Sequence, residues 1–283
     1  MAKNGLVMEG GAMRGMFTAG VIDVFMECGV TFDGAIGVSA GATFGCNLKS
    51  KQAGRAIRYN KRFCRDWRYC SLKSLIKTGD LYGADFCYNQ IPNVLDIFDI
   101  QTYRDNPMPF YIVASDCVTG QPVYKELKNC DANELTWMRA SASMPLASHV
   151  VCVDGYKLLD GGMTDSIPLA YFEGIGFNKN VVILTQPRDY QKGPNKLIGL
   201  MRLCLKKNPA IVDAMAKRHE VYNQEKAYVF DREKAGATFV ICPDEDLGIS
   251  RTENDPDELQ RVYDKGRQVA HALLPNLIAF LKS

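Results

Sequence analysis

Three short stretches set chemically useful side chains among glycines. Gly37-Val38-Ser39-Ala40-Gly41 fits G-x-S-x-G, in which a serine is held on a sharp turn between a strand and a helix. Gly37 and Gly41 leave room for that turn. The helix that follows puts a positive partial charge near any oxyanion, with the N–H of Ala40 as a donor. An ordinary Gly/Ser turn has the same composition, so the pentapeptide does not decide alone. The second stretch, Glu9-Gly10-Gly11-Ala12-Met13-Arg14-Gly15, also joins a strand to a helix. Ala12 breaks the G-x-G-x-x-G dinucleotide pattern, and no Lys-Ser/Thr pair follows as a Walker A loop requires. A loop of exposed backbone N–H groups beside a cation does fit, and such a loop steadies the oxygen charge that develops in acyl transfer. Arg14 can orient that loop or meet a phosphate; the plainer alternative is a turn with a solvated arginine.

A serine nucleophile needs a base. The chain has three histidines. His219 lies in "AMAKRHE", a charged helical stretch, and is placed on a solvated face. His271 falls about 120° from the centre of the last helix's apolar stripe, also at the surface. His149, in "PLASHVVCV", precedes a strand and can border the site or simply mark a strand edge. None has the loop setting of a triad base. Asp160, the third feature, follows an apolar strand and stands before Gly161 and Gly162, which leaves its carboxylate exposed at a strand end. An aspartate can act as general base, better so when partial desolvation raises its pKa. Asp33-Gly34 and Asp154-Gly155 are similar pairs, so spacing alone does not single out Asp160.

Positioning these residues takes a layered frame. Residues 5–11 read as a strand and loop, 16–29 as a helix with one apolar face, 32–40 as a second strand, followed by a helix of small residues. This strand–helix–strand–helix opening predicts parallel α/β layers. Residues 51–90 read as mainly helical. Strands at 109–115 and 121–127 form a hairpin, 132–143 is a helix ending before Pro145, and "HVVCV" and "YKLL" flank an Asp-Gly turn. Further strands are expected at 180–185 and 237–242. A closing helix begins with Asp255 as N-cap, Pro256 at N1 and Glu258 completing a capping box. No internal repeat or low-complexity linker divides the chain, so one domain is expected, with a motif-bearing core over about 5–185 and a mainly helical extension over 190–283.

Composition excludes other classes. The chain has 283 residues, 47% hydrophobic and 23% charged, ordinary globular values that argue against disorder. A net charge of +2 gives no case for nucleic acid as a partner. Ten cysteines are scattered without C-x-x-C, so neither a zinc site nor a thioredoxin-type motif is supported, and a reducing compartment is expected. The N-terminus lacks an apolar signal region, and no run reaches the roughly 20 apolar residues of a membrane span. A cytoplasmic protein is expected.

Taken in order, the loop Gly10–Gly15, the elbow Gly37–Gly41 and Asp160-Gly161-Gly162 resemble the patatin-like phospholipase family. The run from Arg139 to Phe172 resembles the family's passage from a small-residue helix through its DGG loop. The resemblance implies a three-layer α/β/α sandwich around a mostly parallel sheet. It implies that Ser39 is the nucleophile and Asp160 its base, in a dyad without histidine, and that Gly10, Gly11, Ala12, Met13, Arg14 and Gly15 form the oxyanion hole. The activity implied is hydrolysis of lipid acyl esters, of phospholipase A or lysophospholipase type, without metal or cofactor. A carboxylesterase for small soluble esters and a non-enzymatic lipid-binding protein are the alternatives. Two departures stand out. Ala12 replaces the loop's third glycine, a mild change if its torsion is ordinary, and Asp165-Ser166 replaces the usual asparagine after the DGG loop.

One further pattern concerns partners. Lys51, Arg55, Arg58, Arg62 and Arg65 recur at helical spacing, with Tyr59, Phe63 and Trp67 on an adjoining face. A basic amphipathic helix over 51–67 is a pattern for peripheral contact with anionic membrane, here at the inner membrane surface. The same pattern describes a surface helix whose aromatic row packs into the core. The sequence is silent on oligomeric state.

Overall fold

The computed structural model describes residues 3–283. The strands are β1 (Asn4–Met8), β2 (Gly34–Val38), β3 (Phe110–Asp116), β4 (Pro122–Leu127), β5 (Val151–Val153), β6 (Tyr156–Asp160), β7 (Lys179–Ile183) and β8 (Thr238–Ile241). The helices are α1 (Gly15–Glu27), α2 (Ala40–Lys49), α3 (Arg55–Phe63), α4 (Leu72–Thr78), α5 (Ile100–Asp105), α6 (Ala132–Ser141), α7 (Leu169–Gly174), α8 (Ile198–Cys204), α9 (Pro209–Lys234) and α10 (Pro256–Lys282). Residues Phe86–Leu95 form a π-helical segment. All the strands join one sheet in the order β5-β6-β3-β2-β1-β7-β8, with β4 also on β3. Strands β1, β2, β3, β7 and β8 are mutually parallel, and the β4, β5 and β6 pairings are antiparallel.

The register around β3 positions the site. β4 pairs with β3 from Phe110 to Ser115 and takes one edge. The other edge is shared: β2 runs beside Phe110 to Val113, and β6 runs the opposite way beside Ala114 to Asp116. Val38 is opposite Val113 and Asp160 opposite Ala114. The C-terminal ends of β2 and β6 therefore meet tip to tip.

Side chains alternate across the sheet with the period of two that strands impose. Leu6, Met8, Val181 and Ile183 pack with α1, α2 and α10 on one face, and Val7, Ile36 and Val182 pack with α7 and α9 on the other. Helix, sheet and helix make three layers, an α/β/α sandwich. Helix α1 differs from its expected one-faced pattern, because every residue from Gly15 to Phe25 is buried. The sheet covers one side and α10 packs along another. The approach is close: a Cβ on Gly20 would strike the Tyr263 carbonyl oxygen, and one on Gly266 the Phe17 carbonyl oxygen.

At α10, Asp255 caps as expected by accepting the Asp257 N–H at 3.1 Å. The reciprocal half of the capping box does not form, since Glu258 turns to Arg261 at 2.7 Å. The continuous basic helix expected over 51–67 does not form either. Only Arg55–Phe63 is helical there, and Trp67 lies beyond it. Arg55 is buried and donates to the Asp96 carbonyl at 2.6 Å, while Arg58 binds the Asp96 carboxylate at 2.8 Å. Tyr59 and Phe63 are core residues. Among the described residues no helix is long and apolar enough to cross a membrane.

Candidate active site

Ser39 follows β2 and caps α2 with φ 53° and ψ −118°. Such a conformation costs a non-glycine residue roughly 1–3 kcal/mol. The turn is closed from both sides. A Cβ on Gly41 would collide with the Met8 carbonyl oxygen, and Gly37 sits within β2 opposite Met8 and Ile112. The Ser39 N–H donates to Ser141 Oγ at 3.0 Å, which ties the elbow to the end of α6.

Ser39 Oγ donates to Asp160 Oδ2 at 2.6 Å. Asp160 ends β6, and its Oδ1 accepts the Gly162 N–H at 2.8 Å, so both oxygens have donors. Its backbone is fixed by the Ser143 carbonyl at 2.8 Å and by the Ser115 hydroxyl at 2.8 Å. Burial pushes the Asp160 carboxyl above the usual aspartate range, opposed by the Ser39 hydroxyl and the charge of Arg218. A buried carboxylate of raised basicity in contact with a serine hydroxyl has the arrangement needed to accept its proton. No histidine takes that place. His149 is exposed and its ring meets the Thr78 carbonyl oxygen at 3.1 Å. His271 is exposed on α10. His219 departs from its expected solvated setting, since it is half-buried and lines the cleft beside the site.

The loop after β1 lies directly on the elbow. A Cβ on Gly10 would come to 3.0 Å from the Val38 carbonyl oxygen and 3.2 Å from Ser39 Cβ, so the loop packs tightly against the elbow. Residues Ala12–Arg14 form a 3-10 turn whose first internal bond runs from the Arg14 N–H to the Gly11 carbonyl at 3.2 Å. The N–H groups of Gly11, Ala12 and Met13 precede that bond and have no partner within the turn. Ala12 has φ 49°, so its torsion is not ordinary: a methyl group occupies a left-handed position that suits glycine. Gly15 begins α1.

Several supports were not legible in the sequence. Glu9 is buried, accepts the Thr185 N–H at 2.6 Å and the Tyr222 hydroxyl at 2.8 Å, and so anchors the loop to β7 and α9. Its one signal is a charge ending the apolar run "GLVM". Arg218 on α9 donates to the Gly162 carbonyl, which also accepts from Ser166 Oγ at 2.9 Å. Glu225 accepts the Ser166 and Ile167 N–H groups at 3.0 and 3.2 Å, and Asp165 accepts the Tyr124 hydroxyl at 2.7 Å. The Asp165-Ser166 departure is thus accommodated by partners on α9 and β4.

Ser39 stands between two spaces. One is an apolar cavity whose walls include Phe44, Tyr59, Tyr88, Ile91, Phe98 and Met138. The other is a more polar cleft that contains Asp160, Arg14, Lys192, Arg218 and Arg251. Among the described residues no group of three His, Cys, Asp or Glu side chains converges as metal ligands would.

The patatin-like phospholipase sequence model matches residues 6–173, and a domain of unknown function, DUF6363, matches 208–282. The uncharacterized protein YjjU of Escherichia coli K12 is 32% identical over 192 residues, 64% of this chain and 52% of its own length. Lysophospholipase nte1 of Aspergillus oryzae is 28% identical over 180 residues, 61% of this chain and 11% of its own. The chain thus spans about half of the first relative and about a tenth of the second. Among solved structures, VipD from Legionella pneumophila aligns with a TM-score of 0.42 and 14% identity, covering 96% of this chain and 67% of that one. The family model covers more than half of the sequence and all three glycine motifs, and the chain belongs to the patatin-like phospholipase family.

Proposed function

We propose that this protein is a serine lipid acyl hydrolase of phospholipase A or lysophospholipase type, working through a Ser39–Asp160 dyad and an acyl-enzyme. The observation that carries the reading is the 2.6 Å bond from Ser39 Oγ to Asp160 Oδ2 at the junction of an apolar cavity and a polar cleft. The ester carbonyl sits over Ser39 with its acyl chain in the cavity. Ser39 Oγ attacks the carbonyl carbon as Asp160 takes the hydroxyl proton, and the N–H groups of Gly11 and Ala12 hold the oxyanion. When the tetrahedral species collapses, Asp160 returns the proton to the leaving alcohol oxygen. A water then yields its proton to Asp160 and attacks the acyl-serine, and as the acyl–Oγ bond breaks Asp160 returns that proton to Ser39 Oγ and the fatty acid leaves. The aromatic and aliphatic walls of the cavity favour a long acyl chain over a small soluble ester.

A fluorophosphonate probe tests the nucleophile. The wild-type protein should be labelled, Ser39→Ala should lose all labelling, and Asp160→Asn should lose turnover by at least about 100-fold as a missing base predicts. Absence of labelling in folded wild-type protein would sink the hydrolase reading. Loss of turnover on replacing a histidine, with Asp160→Asn still active, would sink the dyad.

A further inference from the structure

Besides Lys196, the cleft beside Ser39 gathers four basic side chains from four separate segments: Arg14 from the turn after β1, Lys192 from the loop after β7, Arg218 from α9 and Arg251 from the loop before α10. Among the described residues none of the four forms an ion pair. The two buried carboxylates of the cleft are already engaged, Glu9 by Thr185 and Tyr222 and Asp160 by Ser39 and Gly162. Arg14 Nε is buried without a hydrogen-bond partner. Burial, then the charges of Arg218, Arg14 and Arg251, hold the Lys192 ammonium down to about 7 against the opposing pull of Glu9. Basic groups that outnumber the carboxylates around them repel one another, and such a grouping in a cleft is expected where a ligand supplies further negative charge.

The position of this cluster relative to the apolar cavity decides what kind of anion fits. Ser39 borders both spaces. An ester whose acyl chain fills the cavity must direct its alcohol part into the cleft. We propose that the cleft is an anion subsite that holds the phosphodiester of a net-negative lysophospholipid headgroup, with residues 208–282 supplying part of its selectivity through Arg218 and Arg251. This rests on the hydrolase reading above. Arginine forks match phosphate oxygens in pairs, and a desolvated ammonium adds a point charge. A choline headgroup would bring its own cation against the same four. A monoacylglycerol would leave all four unmatched.

The test compares kcat/KM for palmitoyl lysophosphatidylglycerol, palmitoyl lysophosphatidylcholine and monopalmitoylglycerol in the same neutral detergent micelles. The wild-type protein should favour the anionic substrate over both others by about tenfold or more, with the preference shrinking as salt is added. Arg251→Gln and Lys192→Gln should each lower the ratio of anionic to neutral turnover. Reading a ratio within each variant cancels any general loss of folded protein. Equal rates in the wild type, or a ratio unmoved in both variants, would overturn the subsite and leave the hydrolase reading standing. Turnover of none of the three would overturn it as well, and fluorophosphonate labelling of Ser39 then tells whether the hydrolase reading falls too. Inorganic phosphate and glycerophosphate, added as competitors against monopalmitoylglycerol, separate the sources of the anion. Competition without lysolipid preference would assign the cleft to a soluble anion and overturn the headgroup assignment.

Discussion

At the scale of single residues, the site combines strain with desolvation. Ser39 and Ala12 both hold positive-φ torsions that cost stability, and both line the apolar cavity. Asp160 adds a buried carboxyl whose pKa is raised by burial and partly lowered again by the Ser39 hydroxyl and Arg218. The sign of the pH dependence follows. A base must be ionised to work, so kcat/KM on a neutral substrate should fall as pH drops through the raised Asp160 pKa, above the ordinary aspartate range. Arg218→Gln keeps a donor for the Gly162 carbonyl but removes a charge that favours the carboxylate. The acid limb should therefore move to higher pH in that variant. A pH–rate profile whose limb stays in place or moves down would show that Asp160 does not feel that charge. The sequence marks Ser39 and Asp160 only when the three glycine patterns are read together, since neither residue's own pattern decides alone. It gives no mark to Arg218, whose role depends on a carbonyl 56 residues away in the chain.

At the scale of elements, α1 and α10 are locked by two glycines that admit the opposite backbone. Gly266→Leu would drive a side chain into the Phe17 carbonyl and force the helices apart. A loss of about 3 kcal/mol or more is expected in urea or thermal unfolding. A loss below about 1 kcal/mol would mean that the helices separate at little cost. The same contact explains why α1 reads as one-faced yet is buried almost all round. Periodicity reports the face toward the sheet, whereas the second cover comes from a helix more than 200 residues later. Helix α3 shows the reverse. Its basic spacing is real, but Asp96 draws Arg55 and Arg58 to one side, and Tyr59 and Phe63 enter the core while Trp67 falls beyond the helix.

At the scale of the whole molecule, the part beyond the three motifs completes the site. β8 extends the sheet from β7, α10 covers α1, and α9 carries Tyr222 to Glu9 and Arg218 to the DGG loop. A chain ending at residue 207 would expose the apolar surface of α1 and leave the Glu9 carboxylate without its Tyr222 donor. Such a truncation should lose its cooperative thermal transition and bind a hydrophobic dye. A truncated protein with a sharp transition and intact fluorophosphonate labelling would show that residues 208–283 are dispensable for the fold.

The sequence by itself determined the strand–helix order and offered the serine elbow, the glycine loop and the DGG carboxylate as candidates. Each of these is written in a few contiguous residues whose backbone demands are local. Tertiary structure alone decided that β2 and β6 end tip to tip on β3, which brings Ser39 and Asp160 to 2.6 Å across 121 positions of chain. It also decided the left-handed torsion of Ala12, the anchoring of Glu9 and the gathering of Arg14, Lys192, Arg218 and Arg251 in one cleft. Those features depend on strand register and on which helix packs where. Both are set by burial summed over the whole core, not by the residues next to them in the chain.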